Sequence, residues 1–561
     1  MSACSSRMSE DQRFELLAND YIEELLKSDP ELATSLGDHR FDDRLKDYSL
    51  VALHDQVRLH RRYLSLLSTT DPAKLSTTNQ IDRDILISNI EASIFQLATL
   101  REYAWNPLYY SLGRAIYDLM ARDFAPLKVR LINIRERLRA VPRVIEAAHK
   151  NLRNSPRIHT ETAVLQNQGT IKMVRDELSH DLERMPELKA EFAPIQAQAV
   201  AVLEAYGTWL QHGLLPHSQG EFRLGIDRFR TKLRYSLDSE LSLEEILARA
   251  EEDLVSTQNT LFETALPLYQ KYLPGKVPEL SDEGKRKIIR AVLDKLAEDH
   301  PGNENIVEVV KRDLDSITTF VRERQLVTVP DEPIKVIVMP EFQRGVAVAY
   351  CDSPGPLEEH AETFLAISPT PADWPPERAL SFFREYNNSM LQDLTIHEAM
   401  PGHYLQLVHA NHFRGPTKVR SIFSSGPFVE GWATYAEQLM MEQGFGGPEA
   451  RMQQLKMRLR LIINAIIDQK IHTAHMSEKE ALNLMMNEGF QEEGEAAGKW
   501  RRACLTSTQL STYYVGNTGI NDIRKAYEAR HGAITDLNSF HDRLLSFGSP
   551  PPKHMKTLMG L

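Results

Sequence analysis

The sequence contains little cysteine and no long apolar run. Its 561 residues include three cysteines, Cys4, Cys351 and Cys504, which lie far apart in the chain. They form neither a disulfide framework nor a Cys-x-x-Cys metal knuckle. No stretch of about 18 apolar residues occurs, so we expect no membrane-spanning helix. The opening MSACSSRMSEDQRF lacks the apolar segment of a signal peptide, and we expect residues 1–10 to be disordered.

Positive charge is scarce relative to negative charge. The net charge is −12 at pH 7, and no basic cluster stands out, which argues against binding to nucleic acid or to anionic membranes. Apolar residues make up 42% of the chain and charged residues 26%, as in soluble globular proteins. We therefore expect a cytoplasmic protein, monomeric or homodimeric, with no nucleic-acid or membrane partner.

Hydrophobic residues recur mostly at helical spacing, which predicts a mainly α-helical protein. The segment GLLPHSQG at 213–220 carries Gly and Pro and is the best internal boundary. It separates an N-terminal helical half, 11–215, from a second half, 216–561, within one compact unit. A long helix is predicted after Ser242, which forms a capping-box signature with Glu245.

Three short β-branched segments interrupt the helical pattern. They are IKVIVMP at 334–340, GVAVAYC at 345–351 and TFLAISP at 363–369. Their lengths and bounding Pro or Gly residues predict a small antiparallel sheet within 334–369. An exposed edge of that sheet can pair with an extended substrate, although a purely structural sheet explains the pattern equally well.

The strongest functional signal lies in two helices predicted within 394–440. LTIHEAMPGHYLQLVHA contains His397, Glu398 and His403, and SSGPFVEGWATYAE contains Glu430. Zinc hydrolases need imidazole and carboxylate ligands, an open coordination position and a carboxylate beside the bound water. We interpret His397, His403 and Glu430 as the ligands of one Zn²⁺ ion and Glu398 as the general base.

The spacing of the two histidines is unusual. In the common H-E-x-x-H motif they are four residues apart on one helical face, whereas His403 follows His397 by six. On a regular helix that spacing places them roughly 120° apart. Pro401 and Gly402 disturb the helix, so we expect a bulged or kinked turn that brings His403 beside His397. The alternative is a helix that ends at Met400 and leaves His403 in solvent.

A second carboxylate lies on the helix that carries Glu430. Glu437 follows Glu430 by seven residues, so both occupy one helical face. Their neighbours Phe428, Trp432 and Tyr435 disfavour a fully solvated face. Carboxylates on an apolar helix side are costly unless they are paired or bind a metal, which supports the metal interpretation.

These motifs resemble the domain of unknown function family 885, a group regarded as zinc-dependent hydrolases. The family is similar to helical gluzincin peptidases such as thimet oligopeptidase and angiotensin-converting enzyme. The resemblance implies a large helical gluzincin-like fold with a deep active-site cleft or channel. Beside HEAMPGHYLQL and FVEGWATYAE, the matching segments are SLGDHRFDDRL at 35–45, EFRLGIDRFRTKLRY at 221–235, SFFREYNNSMLQDLTIHEAMPGH at 381–403, AIIDQKIH at 465–472 and QLSTYYVG at 509–516.

The resemblance also implies roles for residues near the C-terminus. Tyr513 matches the tyrosine of the family's last motif and is the candidate oxyanion donor. Tyr514 is the neighbouring alternative, and either can instead be a core aromatic. Arg502 and Gln509 match positions suited to holding a substrate carboxylate or amide. His472, otherwise part of a helix-surface pair, becomes a candidate for substrate contact.

The chain departs from the family at Ser507 and Thr508, where Pro-Gly is usual, which puts the local loop shape in doubt. We predict a zinc-dependent peptidase or amidase that cleaves short peptides or amino-acid conjugates. A metal hydrolase of a non-peptide molecule and a catalytically silent binding scaffold are the alternatives. The retention of Glu398 beside three ligands disfavours the scaffold.

Overall fold

The computed structural model describes residues 8–275, 280–339, 348–358, 362–371 and 374–561. Within these ranges the protein is mainly helical, with one small sheet. The chain divides into two compact units. The first comprises Met1–Phe222, Pro354–Glu362 and Arg414–Phe423, and the second comprises Arg223–Ser353, Thr363–Phe413 and Ser424–Leu561. None of the described helices combines the length and apolar character needed to span a bilayer.

Several helices of the first unit pack around an apolar core. Leu131, Ile134, Leu138 and Val141 recur at helical spacing and are all buried there, as an amphipathic helix requires. The described α-helices of this unit are α1 Glu10–Ser28, α2 Pro30–Ser35, α3 Leu50–Ser68, α4 Thr77–Ile94, α5 Gly113–Ala121, α6 Leu127–Asn151, α7 Arg157–Lys172, α8 Leu178–Glu183, α9 Lys189–Thr208 and α17 Val419–Ile422. Its π-helical turns are Phe95–Leu100, Met173–Glu177 and Trp209–Leu214, and its 3-10 turns are His39–Phe41, Pro72–Lys74, Glu102–Ala104, Pro107–Tyr110, Pro186–Leu188 and Leu215–His217.

A histidine fixes a late segment of the chain within the first unit. The His39 ring contacts Asp42 Oδ2 through Nδ1 and Glu358 Oε2 through Nε2, each at 2.8 Å. It stacks on Phe124 with ring centroids 3.7 Å apart. Burial alone would lower the pKa of His39, but the two carboxylates outweigh it and raise that pKa to about 9. Asp38 accepts the Arg40 N–H and caps this turn.

The second unit contains the strands and all remaining described α-helices. The predicted capping box is confirmed, because Ser242 and Glu245 exchange side-chain-to-backbone hydrogen bonds at the start of α11. The helices of this unit are α10 Ile226–Leu237, α11 Leu243–Tyr272, α12 Asp282–Leu296, α13 Ile306–Glu323, α14 Pro376–Glu385, α15 Asn388–Glu398, α16 His403–His412, α18 Gly426–Glu442, α19 Gly447–Ala474, α20 Glu478–Asn483, α21 Glu493–Leu505, α22 Ser511–His531, α23 Leu537–Leu545 and α24 Pro552–Met559. A π-helical turn, Leu484–Glu488, follows α20.

The sheet has three strands in the order β1-β3-β2, where β1 is Ile334–Val338, β2 is Ala349–Asp352 and β3 is Thr363–Ile367. The predicted strands are present, although 340 and 345–347 lie outside the described residues. The prediction of an antiparallel sheet was wrong, because β1 runs parallel to β3 and only β2 is antiparallel to it. β3 is the most buried strand and takes the centre, whereas β1 exposes residues and takes an edge. Alternation alone carries no information about which strands pair.

Two helices of the second unit touch through glycines. A Cβ on Gly431 of α18 would lie 2.4 Å from the carbonyl carbon of Gly516 on α22. No side chain fits at such a contact, so only glycine permits it. The contact lies one residue from Glu430 and three residues from Tyr513, and it therefore brings two predicted site residues onto neighbouring helix faces.

Candidate metal centre

The chain between α15 and α16 makes a widened turn. The Met400 N–H donates to Thr395 O at 3.3 Å, the Gly402 N–H to Ile396 O at 3.0 Å and the Leu405 N–H to Ala399 O at 3.3 Å. The last two bonds span six residues where a regular helix spans four, so two extra residues are accommodated. A Cβ on Gly402 would lie 2.0 Å from His397 O, which explains the glycine.

This turn brings the two predicted histidine ligands together. The rings of His397 and His403 lie 4.7 Å apart, at 84° to each other. Glu430 Oε2 lies 3.6 Å from His397 Nε2 and 3.4 Å from His403 Nε2. Ligand atoms of a tetrahedral zinc site, with bonds near 2.0–2.1 Å, are roughly 3.4 Å apart. The three side chains therefore fit a divalent ion, and the prediction that the widened turn returns His403 to His397 is confirmed.

Electrostatics of the three side chains favour ligation. Burial acts to raise the pKa of Glu430, but the imidazoles of His397 and His403 outweigh it and hold that pKa well below its usual range. Glu430 is therefore an ionised carboxylate. The Nδ1 atom of His403 is buried without a hydrogen-bond partner among the described residues, so its ring is oriented by packing and by the contact of Nε2 with Glu430.

Two carboxylates lie behind His397: Glu437, which the sequence predicts to be paired or metal-bound, and Asp393, for which it predicts no role. Glu437 is almost fully buried, and its Oε1 lies 2.6 Å from His397 Nδ1. A proton on Nδ1 leaves Nε2 free as a ligand, an arrangement frequent behind metal-binding histidines. Asp393 is fully buried one turn before His397, and burial together with the Glu437 charge raises its pKa. The sequence signal for Asp393 is its position four residues before His397, which places both side chains on one helical face.

Glu398 contacts the sheet through one carboxylate oxygen. Its Oε2 accepts the backbone N–H of Cys351 in β2 at 3.1 Å. The side chain is only half-buried, and Oε1 makes no hydrogen bond to a described residue. The predicted general base thus has one oxygen fixed by the strand and the other available to a water molecule.

Tyr513, Arg502 and Gln509 form one cluster. Arg502 Nη2 donates to Gln509 Oε1 at 2.9 Å and to the Tyr513 hydroxyl at 3.0 Å. Burial raises the pKa of Tyr513, and the Glu430 charge raises it further. Tyr513 is therefore a neutral hydroxyl within the electrostatic reach of a proposed metal ligand, and its own proton is available for donation.

A buried aspartate shapes the loop that precedes Tyr513. Asp468 accepts the Thr508 N–H and the Ser511 N–H, each at 3.0 Å, and the Ser511 hydroxyl at 2.8 Å. Thr508 has φ of +68°, the left-handed region that favours glycine. The position where the family usually has glycine thus keeps a glycine-like backbone despite its β-branched side chain.

His472 and Tyr514 lie in the packed interior of the second unit. His472 is 2% exposed, and its Nε2 lies 2.9 Å from the carbonyl oxygens of Ala503 and Thr506. The Tyr514 hydroxyl donates to Asp253 at 2.9 Å. The structure does not bring either side chain into the Tyr513 cluster, and we leave both out of the proposed site.

Comparison with known proteins gives a family and two similar structures. The sequence profile described as "Bacterial protein of unknown function (DUF885)" matches residues 30–559. A structure of a "putative lipoprotein of unknown function" from Shewanella oneidensis has 31% identity and a TM-score of 0.82, covering 99% of this chain and 100% of that chain. A "putative lipoprotein" from Colwellia psychrerythraea shares the fold, with 18% identity, a TM-score of 0.78 and 99% coverage of both chains. A comparison with curated proteins finds no match. The cytoplasmic location expected above stays a prediction.

Proposed function

The chain belongs to the DUF885 family, and for it we propose a zinc-dependent hydrolase that cleaves peptide or amide bonds of short peptides or amino-acid conjugates. The observation that carries the proposal is the convergence of His397, His403 and Glu430, whose ligand atoms all lie within 4.8 Å of one another. We extend the proposal to a gluzincin-like architecture in which the substrate reaches these side chains through a cleft.

His397, His403 and Glu430 would hold one ion and leave a coordination position open. A bound zinc ion lowers the pKa of water towards about 7 and polarises a carbonyl oxygen. The role of Glu437 is to keep the Nδ1 proton of His397 in place, so that Nε2 stays available. The three ligand side chains are largely buried. Their burial also excludes competing ligands from bulk solvent.

Glu398 is the proposed general base and acid. The Cys351 N–H holds Oε2 by a hydrogen bond, and the free Oε1 takes a proton from the attacking water. The same carboxyl group then gives that proton to the leaving nitrogen. The strand β2 thus orients the carboxylate between the two transfers.

Tyr513 is the proposed donor to the oxyanion. Its hydroxyl accepts a hydrogen bond from Arg502, which leaves the hydroxyl proton for the substrate oxygen. Because burial keeps the phenol neutral, that proton is present at neutral pH. One such donor contributes roughly 3 kcal/mol to transition-state stabilisation in comparable sites.

Metal content and turnover of matched variants test the proposal. We expect wild-type protein, dialysed after zinc loading, to hold one zinc ion per chain by elemental analysis. H403A should lose the ion because a ligand is missing. E398Q should keep the ion and lose turnover roughly 10²- to 10⁴-fold against a panel of dipeptides and N-acyl amino acids.

The matched control is H412A, which removes a histidine of the same helix whose side chain is 63% exposed. It should retain both zinc and activity. Zinc bound equally well by H403A and wild type would refute the ligand set. An intact zinc site without hydrolysis of any amide would instead favour a non-peptide substrate or a binding scaffold.

A further inference from the structure

We propose that Arg502 binds a free carboxylate on the leaving part of the substrate, so that the site releases a C-terminal amino acid. The inference rests on the hydrolase function proposed above and names its substrate class. It is carried by the surroundings of Arg502, by the charge balance of the neighbouring cluster and by the link through Tyr513 to the metal centre.

Arg502 is a cation without an anionic partner. Its two hydrogen bonds go to neutral acceptors, Gln509 Oε1 and the Tyr513 hydroxyl. No carboxylate of the described residues forms an ion pair with it. The guanidinium has five N–H groups, and Arg502 is only partly buried. A half-buried guanidinium with open donors is suited to a carboxylate, which accepts two parallel hydrogen bonds.

The deeper cations of this region are already neutralised. Glu385 accepts Lys456 Nζ at 2.8 Å and also contacts Arg460. Glu495 lies 3.6 Å from Arg460 Nη1 and 3.7 Å from Lys499 Nζ. These side chains compensate each other within the protein, as buried charges must.

Lys499 and Arg502 lie one helical turn apart on α21. They are the cations whose charge Glu385 and Glu495 do not fully neutralise. Lys499 shares Glu495 with Arg460 and is only 10% exposed, and burial lowers its pKa to about 8. Among the described residues, no carboxylate pairs with Arg502. Together with Arg502, this set has four cationic side chains beside two carboxylates. A bound substrate anion would correct that excess.

Tyr513 links Arg502 to the proposed metal centre. Its hydroxyl accepts a hydrogen bond from Arg502 and lies within the electrostatic reach of Glu430. One residue of an extended chain spans roughly 3.3–3.6 Å. If Tyr513 donates to the scissile carbonyl, a carboxylate one residue further along the substrate reaches Arg502, and that carboxylate is the C-terminus.

The reaction is a hydrolysis that needs only water as co-reactant. The water oxygen bonds to the carbonyl carbon, and the carbon–nitrogen bond breaks. Glu398 moves one water proton to the nitrogen. The products are a shortened acid and a free amino acid, whose carboxylate is the group held by Arg502.

Binding of paired probes tests the carboxylate subsite separately from turnover. The probes are N-acetylglycyl-L-phenylalanine and its C-terminal carboxamide, together with pairs that end in Leu, Lys or Glu. Zinc-loaded E398Q protein is titrated calorimetrically with each. We expect at least one acid to bind about tenfold more tightly than its carboxamide, a difference of 1.4 kcal/mol. Adding R502Q should reduce that preference to less than about twofold.

Two further variants serve as controls for the role of Arg502. R530Q removes an exposed arginine at the end of α22 and should keep the preference. R502K retains the positive charge but lacks the planar guanidinium that donates two parallel hydrogen bonds. It should keep part of the preference for the acid over the carboxamide if the fold is intact. Equal binding of acid and carboxamide in every pair, or a preference that survives R502Q, would overturn the subsite.

Turnover by zinc-loaded wild-type protein separates the two proposals. Cleavage of acids but not carboxamides supports both the hydrolase function and the carboxylate subsite. Equal cleavage of acids and carboxamides overturns the subsite and leaves the hydrolase intact. A carboxylate preference in binding without cleavage of any probe supports the subsite and counts against the hydrolase.

Discussion

Gly516 on α22 lies so close to α18 that a Cβ on it would be 2.1 Å from Pro427 O and 2.8 Å from Gly431 Cα. Backbone atoms on both sides form this contact, so neither helix can yield by moving a side chain. The distance between Glu430 and Tyr513 therefore depends on two residues that have no functional groups.

We predict that G516A separates α18 from α22. Overpacking of this kind costs about 1–3 kcal/mol, and it should reduce turnover through displacement of Tyr513 while zinc is retained. Urea unfolding, zinc content and steady-state kinetics measure the three effects. G498A, on α21 where an added Cβ meets nothing within 4 Å, is the control and should lose neither stability nor turnover. Unchanged stability and turnover in G516A would contradict the proposed spacing role.

Replacing Glu437 should weaken zinc binding without removing a ligand. E437Q keeps an acceptor near His397 Nδ1 but loses the negative charge, and such changes behind a ligand typically reduce affinity roughly 10- to 100-fold. Competition with a chelator measures the zinc dissociation constant. E442Q, near the end of α18 in an ion pair with Arg524, should leave it unchanged. Equal affinities for E437Q and E442Q would show that Glu437 is not coupled to the ion.

Asp468 should control the loop before Tyr513. D468N turns one acceptor into a donor that faces a backbone N–H, so we expect a loss of about 2 kcal/mol in the free energy of unfolding. A left-handed conformation costs a residue with a side chain roughly 1–2 kcal/mol. T508G in the D468N background should therefore recover about 1 kcal/mol. Urea unfolding of the two single variants and the double variant checks this. Failure of T508G to stabilise the D468N variant would contradict the left-handed strain assigned to Thr508.

The contacts of His39 predict a pH dependence. Its folded pKa of about 9 lies above the unfolded value of 6.5, so the histidine is charged in both states at pH 5–6 and its contacts stabilise fully. As the pH rises from 6.5 through 9, folding requires proton uptake and the contribution is lost. We expect a loss on the order of 2 kcal/mol after allowance for partial exposure.

Unfolding by urea at pH 6, 7.5 and 9 measures that loss. H39Q should be less stable than wild type at pH 6 and should approach it at pH 9. H54Q, which removes an exposed histidine of the same unit, should follow the wild-type pH dependence. A parallel pH profile for H39Q and wild type would contradict the role of these contacts.

The convergence of His397, His403 and Glu430 was predictable from residue types. Two imidazoles, two carboxylates and a Pro-Gly pair between the histidines indicated both the candidate ligands and the deformation that brings them together. The pairing of β1 with β3 was not predictable, since apolar alternation marks a strand without naming its neighbour.

Other features depend on tertiary packing that the sequence does not contain. Nothing local to Glu437 distinguishes a carboxylate that orients His397 from one that binds the ion itself. His472 and Tyr514 have reactive side chains, but His472 Nε2 and the Tyr514 hydroxyl make hydrogen bonds within the second unit. The accessible charge of Arg502 became apparent only when the partners of its neighbours were known.

The two residues inserted between Ile396 and Gly402 have a consequence for detection. A search that requires histidines four positions apart rejects this chain, although the folded loop presents its imidazoles as neighbours. A scan of sequences for metal ligands should therefore allow inserted residues between the histidines where a widened turn can accommodate them. A glycine directly before the second histidine is then the informative residue, because a larger side chain would prevent the widened turn from forming.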